Sequence, residues 1–530
     1  MTSTLLALGL LQGCATDADP AGEILLLEPR EQLIRLSVDL RGVHPTTAEL
    51  DAIAAAPELY DAFVDRYLDD PRFTERVVEV VDQRLLLSTG DTYELEDVTG
   101  QDLAGEALSL VARVVDQDLP WSELVTADYT MANPALASAF DLDYPLGANS
   151  WQPATYTDAR AHAGLLSMSS VWLRYPSAGE NANRHRANAI SKMLLCDDYL
   201  SRPVVLNRAA VDQLVIDPEE AIATSSACQS CHSTLDPLAA HFFGFFGDED
   251  DMAAVHYHPE HEEIWKDYAD RSPAWYGTPT ANLVELGAAI AADPRFVDCG
   301  TQTLFEGFTQ RTLADADWTE FQDYRSVFVD HDLAVRPLVR ALVTSDTYKA
   351  RGSTDPELAD RLATVRIASP SQLASIIEGI TGYRWTFDEV DGMTRHDLGL
   401  PGLAGGIDGR FLTERAYEPG VGAVFVLERL AWSAAWTVAR HDLDPDREGD
   451  AVLLAYVTAS DRPDAAPDAF SGQLRHLLQE ATGLPVDAED PRLPALETLW
   501  RQVHSVDADP IGAWAAVLSA ILRDPRVLTY

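Results

Sequence analysis

The chain has 530 residues, of which 46% are hydrophobic, and carries 39 basic against 85 acidic side chains for a formal charge of −46. That balance excludes a nucleic-acid binder, which needs a basic face, and it excludes electrostatic docking on anionic lipid. The length fits about three domains with substantial cores. Nearly all positive charge is arginine, since lysine occurs only at Lys192, Lys266 and Lys349.

Residues 1–24 read as an export segment and tether. Leu5-Leu6-Ala7-Leu8-Gly9-Leu10-Leu11 is too short to span a bilayer and has the length of a signal-peptide core. Leu11-Gln12-Gly13-Cys14 resembles a bacterial lipobox, which makes Cys14 the expected lipidation site. No Lys or Arg precedes the apolar run, so either the start lies upstream or the export signal is weak. The plainer alternative is an apolar tail ending in an ordinary cysteine. Export also permits disulfides.

Residues 25–120 are expected to form an N-terminal helical module. Leu103, Ala107, Leu110, Val111, Val114 and Val115 recur at helical spacing. Asp70-Pro71-Arg72-Phe73 is the first of three related stretches, with Asp293-Pro294-Arg295-Phe296 and Asp524-Pro525-Arg526-Val527. Aspartate can cap a helix, proline suits its first turn, and the following apolar residue anchors in the core. All three predict a structural device.

The segment 121–270 contains Cys228-Gln229-Ser230-Cys231-His232, which reads as Cys-x-x-Cys-His, the attachment sequence of a c-type haem. Two thiols add across the two vinyl groups of the porphyrin, and the adjacent imidazole becomes the proximal iron ligand. Three other readings stay open: a redox dithiol, half of a zinc site, or a structural disulfide. With Cys14 acylated and Cys228 and Cys231 on haem, Cys196 and Cys299 remain, and one bridge between them is expected. The alternative is two buried free thiols.

Downstream, residues 271–350 form a further helical module, with Leu283, Leu286 and Ile290 on one stripe. Arg351-Gly352-Ser353-Thr354-Asp355-Pro356 reads as a linker, and residues 365–530 as a C-terminal helical domain. Pro401 to Gly409 is a turn-rich connection without the ending of a phosphate loop. Val424, Leu427, Ala431, Ala434, Ala435 and Val438 form a core stripe, and Trp432 and Trp436 are read as core too. After the N-terminus no apolar run is long enough to cross a membrane. The fold class expected is mainly α: several packed helical modules with long loops and few or no strands.

The haem motif continues as Ser233-Thr234-Leu235-Asp236-Pro237. Cys-x-x-Cys-His-x-x-x-Asp-Pro resembles the planctomycete-type cytochrome-c-like secreted proteins, multidomain exported bacterial proteins of unknown function. Asp39-Leu40-Arg41-Gly42-Val43-His44-Pro45-Thr46 with Asp70-Pro71-Arg72-Phe73 is similar to their N-terminal module. Ala127 to Asn133, Ala163 to Leu166, Asn183 to Arg186 and Leu194-Leu195-Cys196 resemble the lead into the haem module. Phe296 to Cys299, the helix through Phe308 and Arg311, and Leu342 to Asp346 resemble the module after it. The likeness covers roughly residues 25–350. It implies covalent haem c on Cys228 and Cys231, with His232 as axial ligand, and no established reaction. The chain departs after Pro237, where it reads Leu238-Ala239-Ala240-His241-Phe242-Phe243-Gly244-Phe245-Phe246 instead of the family's Gly and Glu-x-Phe-Asp.

A second axial ligand would make an electron carrier, and an open position would permit ligand chemistry. Met252 is the first candidate and His241 the second. His256, His258 and His261 with Glu262 and Glu263 could ligate zinc or copper, against the plainer reading of surface histidines. Arg184, His185 and Arg186 could meet haem propionates, or pair with Asp or Glu on a helix surface. The primary expectation is a mono-haem electron-transfer lipoprotein, exported to the periplasm or cell surface and lipid-anchored to the outer membrane, with a basic redox partner. The alternatives are a non-redox surface scaffold or binding protein whose motif is a disulfide or metal site, and a haem enzyme with an open iron position. A carrier or binding protein is favoured over a catalyst.

Overall fold

The computed structural model describes residues 23–88, 95, 97–177, 181–203, 215, 218–246, 256–268 and 271–530. The fold is mainly α and multi-helical, 59% helix with a few short strands, as expected. Cys14 and Met252 lie outside the described residues.

Strand β1 (Ile24–Leu26) leads into α1 (Pro29–Arg41), which starts on a proline in its first turn and ends where Gly42 turns left-handed at φ 70°. Helices α2 (Pro71–Leu85) and α3 (Gly100–Asp116) pack on one another. The stripe from Leu103 to Val115 is buried, as its spacing predicted. Strands β2 (Thr130–Ala132), β3 (Leu142–Asp143) and β4 (Gln152–Tyr156) form an antiparallel sheet in the order β2-β4-β3. Helices α4 (Arg184–Leu195), α5 (Ser226–Ala239) and α6 (Pro294–Thr309) follow.

The Arg351–Pro356 stretch, expected to be a linker, is partly strand. In β5 (Ala350–Ser353), Ser353 pairs with Ile24 and Gly352 with Leu25, so the chain folds back on its own beginning. Beyond it lie α7 (Pro370–Thr381), α8 (Val421–Asp442), α9 (Pro467–Thr482), α10 (Arg492–Asp507) and α11 (Pro510–Leu522). One continuous set of buried apolar side chains runs from Leu33 to Leu528.

A buried polar hub ties the two ends together. Asp39 of α1 accepts hydrogen bonds from Tyr348 (2.7 Å) and Tyr530 (2.6 Å) and forms an ion pair with Arg366. Arg35, one turn earlier, donates to the carbonyls of Tyr348, Ala350 and Thr364 at 2.7, 2.9 and 2.6 Å. Arg366 also exchanges two backbone hydrogen bonds with the C-terminal Tyr530, each 2.8 Å. These groups are buried, so each must find its partner inside the protein.

The Asp-Pro-Arg device behaves as its chemistry requires. Asp70, Asp293 and Asp524 each accept from the backbone N–H two residues on at 3.0 Å, while Phe73, Phe296 and Val527 are buried. A fourth copy, Asp490-Pro491-Arg492-Leu493, makes the same bond at 2.9 Å.

Helix α8 departs from two expectations. Its stripe at Leu427, Ala431, Ala434, Ala435 and Val438 is buried, largely against α11. Val424 and Trp432, expected in the core, are instead exposed. They fall on the face shared with Val421, Phe425 and Glu428, three to four residues apart and turned away from the packing stripe. By length and composition α8 is also long enough to cross a membrane, contrary to the sequence reading, although it packs against α11 in the fold.

Candidate functional site

Helix α5 is fully buried at its C-terminal end. From Leu235 to Phe246 every residue is buried, whereas Cys228, Cys231 and His232 are half-buried in the first two turns. The anchor is aromatic: Phe242 lies 4.5 Å and Phe245 5.7 Å from the Trp172 ring, and Phe245 meets Tyr257 edge-on at 4.9 Å. Gly244 sits so close to the Tyr257 ring that a Cβ there would lie 2.1 Å from it. The residues from Leu238 to Phe246 therefore build the core that holds the end of α5 in place.

Cys228 and Cys231, three apart, share a helix face as free thiols. His232 Nδ1 lies 2.9 Å from Asp236 Oδ1, one turn on. Its Nε2 has no hydrogen-bond partner among the described residues. Asp236 is 2% exposed and also receives Arg184, from Nε at 2.8 Å and Nη2 at 3.4 Å. Burial works to raise the Asp236 carboxyl, but His232 and Arg184 outweigh it and hold it below the ordinary carboxylate range. The aspartate fixes the orientation of the imidazole and leaves the far nitrogen open. A carboxylate in this position raises the basicity of a metal-binding histidine.

The helix also has polar neighbours on its flank. Thr234 shares a 2.8 Å hydrogen bond with Tyr199, whose hydroxyl donates to Tyr276 at 3.4 Å. Arg271 Nη2 donates to Gln229 Oε1 at 2.6 Å and faces no carboxylate in an ion pair among the described residues.

The Arg184–Arg186 cluster divides. Arg184 is committed to Asp236. Arg186 is buried and donates to the carbonyls of Tyr175 and Phe245 and to Asn183, and burial pushes it down to about 9. His185 is exposed, with Nδ1 2.9 Å from the Pro176 carbonyl.

His241 is buried with both ring nitrogens engaged, Nδ1 with the Leu238 carbonyl (3.1 Å) and Nε2 with Thr280 (2.7 Å). Nine residues of nearly continuous helix also separate it from His232, about 13 Å along the axis. As placed, neither nitrogen is open to iron.

The downstream histidines are scattered in role. His258 stacks on His261 at 4.9 Å, His261 Nδ1 meets the Phe246 carbonyl at 2.8 Å, and His256 is exposed. Glu262 accepts from Tyr257, and Glu263 pairs with Lys266. Among the described residues no group of three or more His, Cys, Asp or Glu is arranged to hold a metal ion.

Cys196 and Cys299 form a disulfide with Cα atoms 5.2 Å apart, joining the end of α4 to α6. The loop it closes spans 103 residues and contains the Cys-x-x-Cys-His stretch.

Sequence reasoning missed the role of Asp236, and it read Arg184 as pairing with an Asp or Glu without identifying which. The signal was present in the i, i+4 spacing of His232 and Asp236, which places both on one helix face. Arg184 lies on another helix and had no local signal.

The model of a family described as PSCyt2, a protein of unknown function (DUF1549), matches residues 25–141. No curated protein and no solved structure matches the chain. The match takes in α1 to α3 and stops short of the Cys-x-x-Cys-His helix. Over that N-terminal stretch the chain is similar to a planctomycete-type domain of unknown function.

Proposed function

We propose that this chain is an exported mono-haem c-type protein that carries electrons, tethered to the outer membrane by lipid on Cys14. The observation that supports the reading is the start of α5: two free thiols on one face, beside an imidazole whose Nδ1 is tied to a buried carboxylate and whose Nε2 is open. A metal site would need further ligands, and none converge there among the described residues.

In this reading Cys228 and Cys231 would hold a haem covalently through thioether bonds. His232 would be the residue to hold its iron, through the open Nε2. Asp236 holds its ring and raises its basicity, and Arg184 holds Asp236. Arg271, which is in no ion pair among the described residues, would be the guanidinium to meet a propionate. When bound, the haem supplies a one-electron couple. The net charge of −46 would steer a basic redox partner toward the surface.

The test is expression with a haem-c maturation system, followed by a pyridine haemochrome spectrum of denatured protein. The expected result is one covalent haem, lost in Cys228→Ala/Cys231→Ala. A colourless wild-type product, beside a control cytochrome that matures, overturns the reading.

A further inference from the structure

A cavity of about 370 Å³ lies between the face of α2 bearing Glu79 and Asp82 and the segment from Ser369 to Arg415. No residue of the Cys-x-x-Cys-His stretch lines it. The cavity joins the part of the chain similar to the PSCyt2 family to the C-terminal region.

Two groups in its wall, a buried guanidinium and a half-buried histidine with a buried ring nitrogen, lack the partner their chemistry calls for. Arg415 is 8% exposed, and its Nη2 donates to the Ile367 carbonyl. It forms no ion pair with a carboxylate among the described residues. The other guanidiniums of the wall are matched: Arg41 with Glu49, Arg76 with Glu79, and Arg384 with Glu378 and Asp391. A buried guanidinium favours a carboxylate, which it can hold through two parallel hydrogen bonds. The second group is His396, whose Nδ1 is buried without a hydrogen-bond partner among the described residues. Burial lowers His396 below its ordinary range against weaker opposing influences from Asp82, Asp408 and a hydrogen bond with Ile407. A hydroxyl both donates and accepts, so the unpartnered Nδ1 can pair with a ligand hydroxyl.

The acidic groups of the wall do not cancel this demand. Glu79 is paired with Arg76 and Ser371 and feels the charge of Arg415 without forming an ion pair with it, and burial pushes Asp82 above the usual carboxylate range. Val78, Leu108 and Met393 add an apolar floor. The volume falls in the range of small-molecule sites.

We propose that this cavity binds a small hydroxylated carboxylate of the sugar-acid class, with Arg415 taking the carboxylate and His396 pairing with a ligand hydroxyl. The class follows from what is missing. A simple carboxylate satisfies only Arg415, and a neutral sugar satisfies only His396. A phosphate brings extra negative charge beside Glu79.

The test is calorimetric titration of the full chain with D-glucuronate, D-glucose, acetate and inorganic phosphate as probes. Glucuronate is expected to bind, with glucose and acetate each weaker by about tenfold or more. Arg415→Gln and His396→Phe should each weaken glucuronate by about tenfold. Ser375→Leu, which fills the cavity from α7 and touches neither group's role, should weaken it too and decides the matter if Arg415→Gln fails to fold. No binding of glucuronate at millimolar concentration overturns the proposal. So does tighter binding of phosphate, or unchanged affinity in a folded Arg415→Gln protein.

Discussion

Replacing Asp236 by asparagine tests the core of the candidate site without changing its shape. The side chain is 2% exposed and receives hydrogen bonds from His232 at 2.9 Å and from Arg184 at 2.8 and 3.4 Å. Hydrogen bonds to a charged group contribute about 1.5–3 kcal/mol each, and removing one side of a buried ion pair costs about 3–5 kcal/mol. Arg184 is 20% exposed and regains some water, which brings the expected loss to about 2–4 kcal/mol. Urea denaturation should show this as a lower midpoint at unchanged slope. A double-mutant cycle with Arg184→Met should return a coupling of about 1–2 kcal/mol. In haem-loaded protein the same change removes the negative charge behind His232 Nδ1 and should raise the midpoint potential. A stability change under about 0.5 kcal/mol, or strict additivity with Arg184→Met, would refute the reasoning.

Three further predictions follow from other parts of the fold. Cys196→Ser/Cys299→Ser should lose about 4–5 kcal/mol, because the bridge closes a 103-residue loop, and calorimetry of the two proteins reads the difference. Asp39→Ala leaves the buried Arg366 without its carboxylate and takes the acceptor from the Tyr348 and Tyr530 hydroxyls, and should cost about 3–5 kcal/mol in urea, while a loss below about 1 kcal/mol contradicts the hub. Burial lowers His241 from 6.5 to about 4, so below pH 6.5 the unfolded chain binds a proton that the folded chain refuses. Stability tied to this group is therefore full above pH 6.5 and falls as pH drops toward 4, by about 3 kcal/mol over that window. His241→Gln should flatten that slope when urea midpoints are compared at neutral and acidic pH.

Local periodicity made much of the helical fold readable. The stripe from Leu103 to Val115 is buried because its spacing matches the turn of a helix that packs on one side. Asp70, Asp293 and Asp524 cap helices because the necessary atoms are two residues apart. Asp490 carried the same signal and was overlooked. What local patterns do not contain is the partner. Arg351 to Pro356 has linker composition, yet residues 350–353 become strand because residues 24–26 supply the other edge. Trp432 has core chemistry but sits on the exposed face of α8. Cys228, Cys231 and His232 stood out by spacing alone, whereas Arg184 reaches Asp236 from 52 residues upstream. The cavity beside Arg415 joins segments about 300 residues apart, and no window of sequence holds both walls.

Intact-mass spectrometry of the mature protein, made in a host with haem-c maturation, tests the central claim most directly. The account predicts one haem's mass retained through denaturation and mapping to the peptide with Cys228 and Cys231, together with a diacylglycerol on Cys14. A mature chain with both cysteines unmodified, from cells that load a control cytochrome, would contradict it.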